Sequence, residues 1–142
     1  MPFGGADLHF HSSASDGVEA PAALVARALA AGLSVAALTD HDTVSGVEAF
    51  EAAAAGTGLV AAGGAELSVD EGGEDVHLLG LFVDPAEPDL ASRLEFFREV
   101  RTRRGEMIVE RLNGLGGALD LELVRAGAGD GAFGRPHVAR AP

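Results

Sequence analysis

The chain has no cysteine, no tryptophan and no tyrosine among its 142 residues. Without cysteine there are no disulfides and no thiolate metal site, and a reducing compartment is the expectation. Neither a Gly-x-Ser-x-Gly elbow nor a Gly-x-x-x-x-Gly-Lys loop occurs, so a serine nucleophile of that type and a P-loop phosphate cradle are excluded. Basic residues are scarce: ten against twenty-two acidic ones leave a net charge of -12. That balance argues against a broad nucleic-acid footprint and against binding to anionic membrane, although clustered arginines and bound cations can reverse the sign inside a pocket. The longest apolar run, Ala20 to Leu38, contains Arg27 and Gly32 and is largely alanine, so it reads as a helix followed by a strand rather than a membrane span. No basic segment precedes an apolar one at Met1, so no signal peptide is expected and a cytoplasmic location is. With 47% apolar content, the length allows one core and one domain over 1–142, or part of one.

What the chain does have is histidine beside carboxylate. Four of the five histidines, His9, His11, His41 and His77, stand next to apolar runs with Asp16, Asp40 and Glu66 close by. Ala6 to His11 alternates, with Leu8 and Phe10 on one face and Asp7, His9 and His11 on the other, as a strand places them. Beyond the Ser12 to Gly17 turn, Pro21 suits a first helical turn, Leu24, Val25, Ala28 and Leu29 form a stripe, and Gly32 can close the helix. Ser34 to Thr39 is a short buried strand ending at Asp40, His41 and Asp42, where Asp42 or Thr43 can cap a second helix running to about Ala55. Leu59 to Ala62 is a third strand with Glu66 just beyond it. Gly72 and Gly73 make a two-residue hairpin turn that sets Ser68 opposite His77 and Glu66 opposite Leu79. Glu66 and His77 then become diagonal neighbours on one face.

Pro88 and Asp89 open a long helix to about Gly114, with Leu90, Leu94, Phe97, Ile108, Leu112 and Leu115 as its stripe. Arg101 and Arg104 fall inside that stripe and need an anionic partner, whereas Arg98 and Arg103 point to solvent. Gly127 to Gly134 reads as a loop, followed by Arg135, Pro136 and His137.

Polar clusters recurring at successive strand ends are where α/β folds with parallel strands assemble their sites, and a mixed imidazole and carboxylate set suits a divalent cation. Each residue also has a plainer reading. Ser15-Asp16-Gly17 taken alone is a turn; Asp7 and Asp40 either orient ligand imidazoles or cap; Asp42 suits a cap better than a ligand. Arg101 and Arg104 could be surface or helix-pair charge, and His137 could cap the turn at Pro136.

Together, Asp-Leu-His-Phe-His-Ser at Asp7, Ser-Asp-Gly at Ser15, Thr-Asp-His-Asp-Thr at Thr39, Gly-Ala-Glu at Gly64 and His-Leu-Leu-Gly at His77 resemble the polymerase and histidinol phosphatase (PHP) domain. Arg101, Arg104 and Gly-Arg-Pro-His at Gly134 further resemble the branch of nucleoside 3′,5′-bisphosphate phosphatases and short-RNA 5′ exonucleases. The resemblance implies a distorted seven-stranded β/α barrel, of which this chain would cover roughly the N-terminal half, with 88–142 as a helical substrate-binding segment. It also implies two or three divalent metals, often manganese, with zinc, iron or magnesium as alternatives, held by His9, His11, Asp16, His41, Glu66 and His77. Asp7 and Asp40 would support these ligands, and Arg101, Arg104, Arg135 and His137 would hold a phosphorylated nucleotide or short oligonucleotide. Family members extend further and add a histidine and an Asp-x-His pair to the cluster. The implied reaction is phosphoester hydrolysis with water as the nucleophile; a small-metabolite phosphatase and a non-catalytic regulatory module are the competing readings.

Overall fold

The computed structural model describes residues 4–129 and 133–141. Its first half runs β1 (Gly5–Phe10), α1 (Pro21–Ala30), β2 (Leu33–Leu38), α2 (Val47–Ala54) and β3 (Val60–Glu71). β1, β2 and β3 pair in parallel, with Phe10 beside Leu38 and Ala36 beside Ala61. The intervening helices pack against the sheet, and Val25, Ala28, Ala36, Leu38, Phe50, Ala54 and Leu59 form one buried cluster. Alanines at three of those seven positions let helix and strand approach closely, which is what the alanine-rich composition serves here. The Ala20 to Leu38 run does resolve into α1 and β2. Among the described residues, no helix is long and apolar enough to cross a membrane.

β4 (Glu74–Leu81) returns antiparallel on β3 and completes a four-stranded sheet in the order β1-β2-β3-β4. Gly72 and Gly73 carry φ of 64° and 90°, the double positive φ that a tight two-residue hairpin turn demands and glycine supplies without strain. The expected register holds, with Ser68 opposite His77 and Glu66 opposite Leu79. β3, however, does not stop at Ala62; it continues through Glu66, because the hairpin gives its second half a partner that β2 is too short to provide.

Three further helices follow: α3 (Pro88–Gly114), α4 (Leu121–Ala128) and α5 (Arg135–Arg140). Pro88 starts α3, and Glu87 caps it by accepting from the Asp89 amide. The α3 stripe differs from the sequence reading: Leu94, Gly105 and Val109 are buried, while Leu112 and Leu115 are exposed. The helix changes partners along its length, and its later turns join Val124, Ala128, Phe133 and Val138 in a second cluster through Val109. Gly127 and Ala128 belong to α4 rather than to a loop; residues 130–132 of the expected loop lie outside the described residues.

Gly105 explains how Phe133 enters that cluster. A Cβ at this position would sit 2.5 Å from Phe133 Cδ1, so the helix surface is notched where the ring lies. Gly105→Leu is expected to cost about 1 to 3 kcal/mol through overpacking, read as a lower thermal midpoint; an unchanged midpoint would show that Phe133 does not fill the notch.

Candidate metal centre

Strand geometry alone brings most of the cluster together. His9 lies in β1 and His11 directly after it, on the face that alternation assigns. An isolated bridge between His41 and Glu66 ties the end of β2 to the middle of β3, and the hairpin register carries His77 across to the same face. The imidazoles form a file, with ring centroids 4.9 Å apart for His9 and His11, 4.5 Å for His11 and His41, and 5.1 Å for His41 and His77.

Glu66, only 1% exposed, is the centre of this file. Its Oε2 lies 3.2 Å from His9 Nε2, 2.8 Å from His11 Nε2 and 3.2 Å from His41 Nδ1, and its Oε1 lies 2.5 Å from His77 Nδ1. Three ring nitrogens converge on Oε2 alone, more than the lone pairs of one carboxylate oxygen accommodate as ordinary hydrogen bonds. A buried carboxylate ringed by imidazoles is instead the donor chemistry of a nitrogen and oxygen cation site. Ligand atoms within 4.8 Å of one another fall into three groups: His9, His11 and Glu66; His11, Asp16 and His41; His41, Glu66 and His77. All six residues expected to be ligands are thus brought together, and the donor set fits divalent metal.

Asp16 reaches the cluster because its loop is anchored from below. Buried Asp40 accepts from the Ser12 amide at 2.7 Å, from Ser12 Oγ at 2.6 Å and from Ser15 Oγ at 2.6 Å. Asp16 Oδ1 then meets His11 Nδ1 at 2.8 Å, and Oδ2 lies 3.5 Å from His41 Nε2. Burial opposes its charge, yet the His11 hydrogen bond and the nearby His41, His11 and Arg101 hold Asp16 down at about 2. Desolvation and the Arg101 charge push His41 down to about 4, so at neutral pH it presents an uncharged imidazole, the form that ligates. His11 goes the other way: burial is outweighed by the Asp16 hydrogen bond and the surrounding carboxylates, and its pKa rises. In Glu66, desolvation is likewise overcome by the histidines, and its carboxyl is held below the ordinary value.

The remaining residues divide. Asp40 holds the Ser12 and Ser15 loop, and Asp7 accepts from the His9 amide at 3.1 Å in its own strand. Asp42 does not cap α2; that helix begins later, behind Gly46, without a side-chain cap. The Asp42 carboxylate is buried and taken by Arg101, whose Nε donates at 2.7 Å. Arg101 also donates through Nη2 to Ser68 Oγ at 2.7 Å and to His41 Nδ1 at 2.9 Å. Arg104 lines, with Asp42, Ser68, Val69, Phe97 and Arg101, a cavity of about 270 Å³ beside this network. Arg103 is exposed, whereas Arg98 is only a third exposed and pairs with Glu95.

Arg135 is exposed on the first turn of α5, next to Gly134, which lies against the Arg101 guanidinium. His137 is buried, and its Nδ1 accepts from the Gly134 amide at 3.2 Å, the capping role that sequence reading weighed against a substrate role. Sequence reading missed Asp42 as an ion-pair partner, Ser68, and Arg140, which donates to the Asp16 carbonyl at 2.8 Å. The one local signal was Asp42 itself, a residue type enriched at positive φ, here 53°.

The relatives agree with this geometry. The chain matches the PHP domain over residues 7–112. It is 39% identical over 134 residues to a 5′–3′ exoribonuclease of Haemophilus influenzae, covering 94% of this chain and 48% of that protein. A 3′,5′-nucleoside bisphosphate phosphatase of Chromobacterium violaceum is 43% identical over 116 residues, covering 80% and 41%. Among solved structures, an amidohydrolase from Chromobacterium violaceum, with sulfate bound and no metal, superposes with a TM-score of 0.87 at 39% identity over 95% of this chain and 48% of its own. A protein of Bifidobacterium adolescentis described as a candidate metal-dependent phosphoesterase gives 0.87 at 33% identity over 97% and 49%. The chain spans about half the length of the relatives it matches, and its four strands correspond to half of an α/β barrel of this type. From strand order, ligand geometry and likeness together, the chain belongs to the PHP domain family.

Proposed function

We propose that this chain carries the metal centre of a phosphoesterase that hydrolyses a terminal phosphate of a nucleotide or short oligonucleotide. The observation that carries the reading is Glu66, a buried carboxylate on which four imidazoles converge next to an arginine-lined cavity. His9, His11, Asp16, His41, Glu66 and His77 would hold two or three divalent ions, manganese first and zinc, iron or magnesium as alternatives. Such ions, when bound, polarise phosphoryl oxygens and lower the pKa of water to be used as the nucleophile.

The protein's own groups supply the rest. Arg101 and Arg104 set positive charge along the cavity, where planar guanidinium groups suit a terminal phosphate with several free oxygens better than an internal diester. Phe97 and Val69 give the cavity an apolar wall, which lowers the local dielectric and strengthens those contacts. Arg135 and His137 belong to the same substrate-binding reading, with Arg135 the accessible one. The names of the relatives, an exoribonuclease and a nucleoside bisphosphate phosphatase, support the nucleotide class. The acidic balance favours a short substrate over a long duplex.

A panel of nucleoside 3′,5′-bisphosphates, short 5′-phosphorylated RNA and histidinol phosphate, assayed with manganese, tests the assignment. Hydrolysis of the first two is the expected result, and hydrolysis of histidinol phosphate alone would overturn it.

Cation uptake also carries a sign in pH. His41, low at about 4, takes up a cation at neutral pH without losing a proton, whereas His11, raised above its ordinary value by the Asp16 hydrogen bond and the surrounding carboxylates, holds its proton more firmly and has to give up whatever share of it remains. Affinity is therefore expected to fall as pH is lowered through the range in which His11 takes up its proton, with proton release on loading there. Calorimetry in buffers of different ionisation enthalpy measures both, and a pH-independent affinity would contradict the role of His11.

A further inference from the structure

Arg101 touches a residue it cannot keep touching once a cation is bound. A guanidinium has donors and no acceptor. The 2.9 Å contact from Arg101 Nη2 is therefore a hydrogen bond when His41 Nδ1 offers its lone pair, and Glu66 Oε2, 3.2 Å from the same nitrogen, then receives no proton from it. A neutral imidazole has one such nitrogen, and its proton then sits on Nε2. A ligated cation needs the same lone pair. If the cation takes Nδ1, Arg101 stands in its place; if it takes Nε2, the proton relocates to Nδ1 and two N–H groups face each other. Either way the Arg101 contact and ligation by His41 exclude one another, with no net gain or loss of a proton.

The place for the displaced donor is already present. Arg101 Nε holds Asp42 Oδ2 at 2.7 Å, one prong of a guanidinium–carboxylate fork. The other oxygen, Asp42 Oδ1, is buried and has no hydrogen-bond partner among the described residues, in a residue that is 1% exposed. An unpaired buried carboxylate oxygen is costly, and a second prong would satisfy it. Asp42 is also held at φ 53°, a conformation uncommon for residues with a side chain, so its carboxylate is fixed by the backbone directly after His41.

We infer that Arg101 and a divalent cation exchange on His41: without the cation Nη2 occupies Nδ1, and on loading Nη2 leaves His41 and closes the fork on Asp42 Oδ1. The inference rests on His41 being a ligand, as proposed above, and goes beyond it by making Asp42 a positioning residue. Asp42 keeps the guanidinium at the rim of the cavity in both states, so on loading Arg101 stops serving as a stand-in cation on His41 while its Nε stays on Asp42 Oδ2. Cation binding and the Arg101–His41 contact are then coupled, and the coupling is reciprocal.

The test is nitrogen NMR of the full 142-residue chain labelled in histidine and arginine, with diamagnetic zinc as the probe. In the cation-free chain the His41 proton is expected on Nε2. Zinc should end the His41–Arg101 contact and shift the Arg101 side-chain signals. In a separate affinity measurement, Arg101→Met should bind zinc about fivefold more tightly, within the usual range of site-to-site coupling. A His41 proton already on Nδ1 without zinc, Arg101 signals unmoved at saturation, or weaker zinc binding in Arg101→Met would each overturn the exchange. Zinc shifting His9, His11 and His41 with Arg101 unmoved sinks the exchange alone. Zinc leaving every histidine signal unchanged sinks the ligand reading as well.

Discussion

Glu66→Ala is expected to lower the metal content of the protein and reduce the affinity of what still binds by about 100-fold or more, beyond the range seen for residues that only support ligands. The reason is topological as much as chemical. Glu66 is in two of the three ligand groups, and its two oxygens meet His9, His11, His41 and His77. Removing it takes away the carboxylate that touches all four rings and leaves Asp16, which reaches just two of them, whereas removing exposed His9 takes away one donor at the edge. Glu66→Gln separates charge from shape, because the amide keeps the volume and one acceptor oxygen but presents donors to the imidazoles. Elemental analysis of both variants gives the count directly. Unchanged metal stoichiometry in the alanine variant would remove the basis for the centre.

Asp40→Ala is expected to cost about 3 kcal/mol or more, since a buried carboxylate accepting from the Ser12 amide and from two hydroxyls is lost and a buried amide is left without its acceptor. For a domain of this size that is a fall in thermal midpoint of roughly 10 °C. The same change should weaken cation binding about 10-fold, because the Ser12 to Ser15 loop that delivers Asp16 loses its anchor. If Asp40 were only a cap on local backbone, stability would fall and cation affinity would stay. Measuring both on one variant separates the two roles.

Much of this arrangement is legible in the sequence, and the parts that are not share a physical cause. Period-2 alternation placed His9 and His11 together, and the double glycine fixed the hairpin register that carries His77 to Glu66. These are local rules, set by side-chain direction and turn geometry. Asp42 looked like a helix cap by the same local logic, yet its carboxylate is captured by Arg101, 59 residues away. By periodicity the α3 stripe is one continuous face, but Leu112 and Leu115 are exposed because the helix meets different neighbours at its two ends. The apolar run of β3 ends at Ala62, yet the strand continues, because its extension depends on pairing with β4 and not on its own residues.

The sequence by itself determined the alternating strands, the glycine turn, the helix start at Pro88 and the chemical kind of the site, because each follows from the stereochemistry of neighbouring residues. Only the tertiary structure decided that Glu66 lies at the meeting point of the imidazoles, that Asp40 anchors the Asp16 loop and that Arg101 spans Asp42, His41 and Ser68. Those pairings join groups far apart along the chain, and which partner a buried charge finds is settled by which side chains packing brings within hydrogen-bond reach.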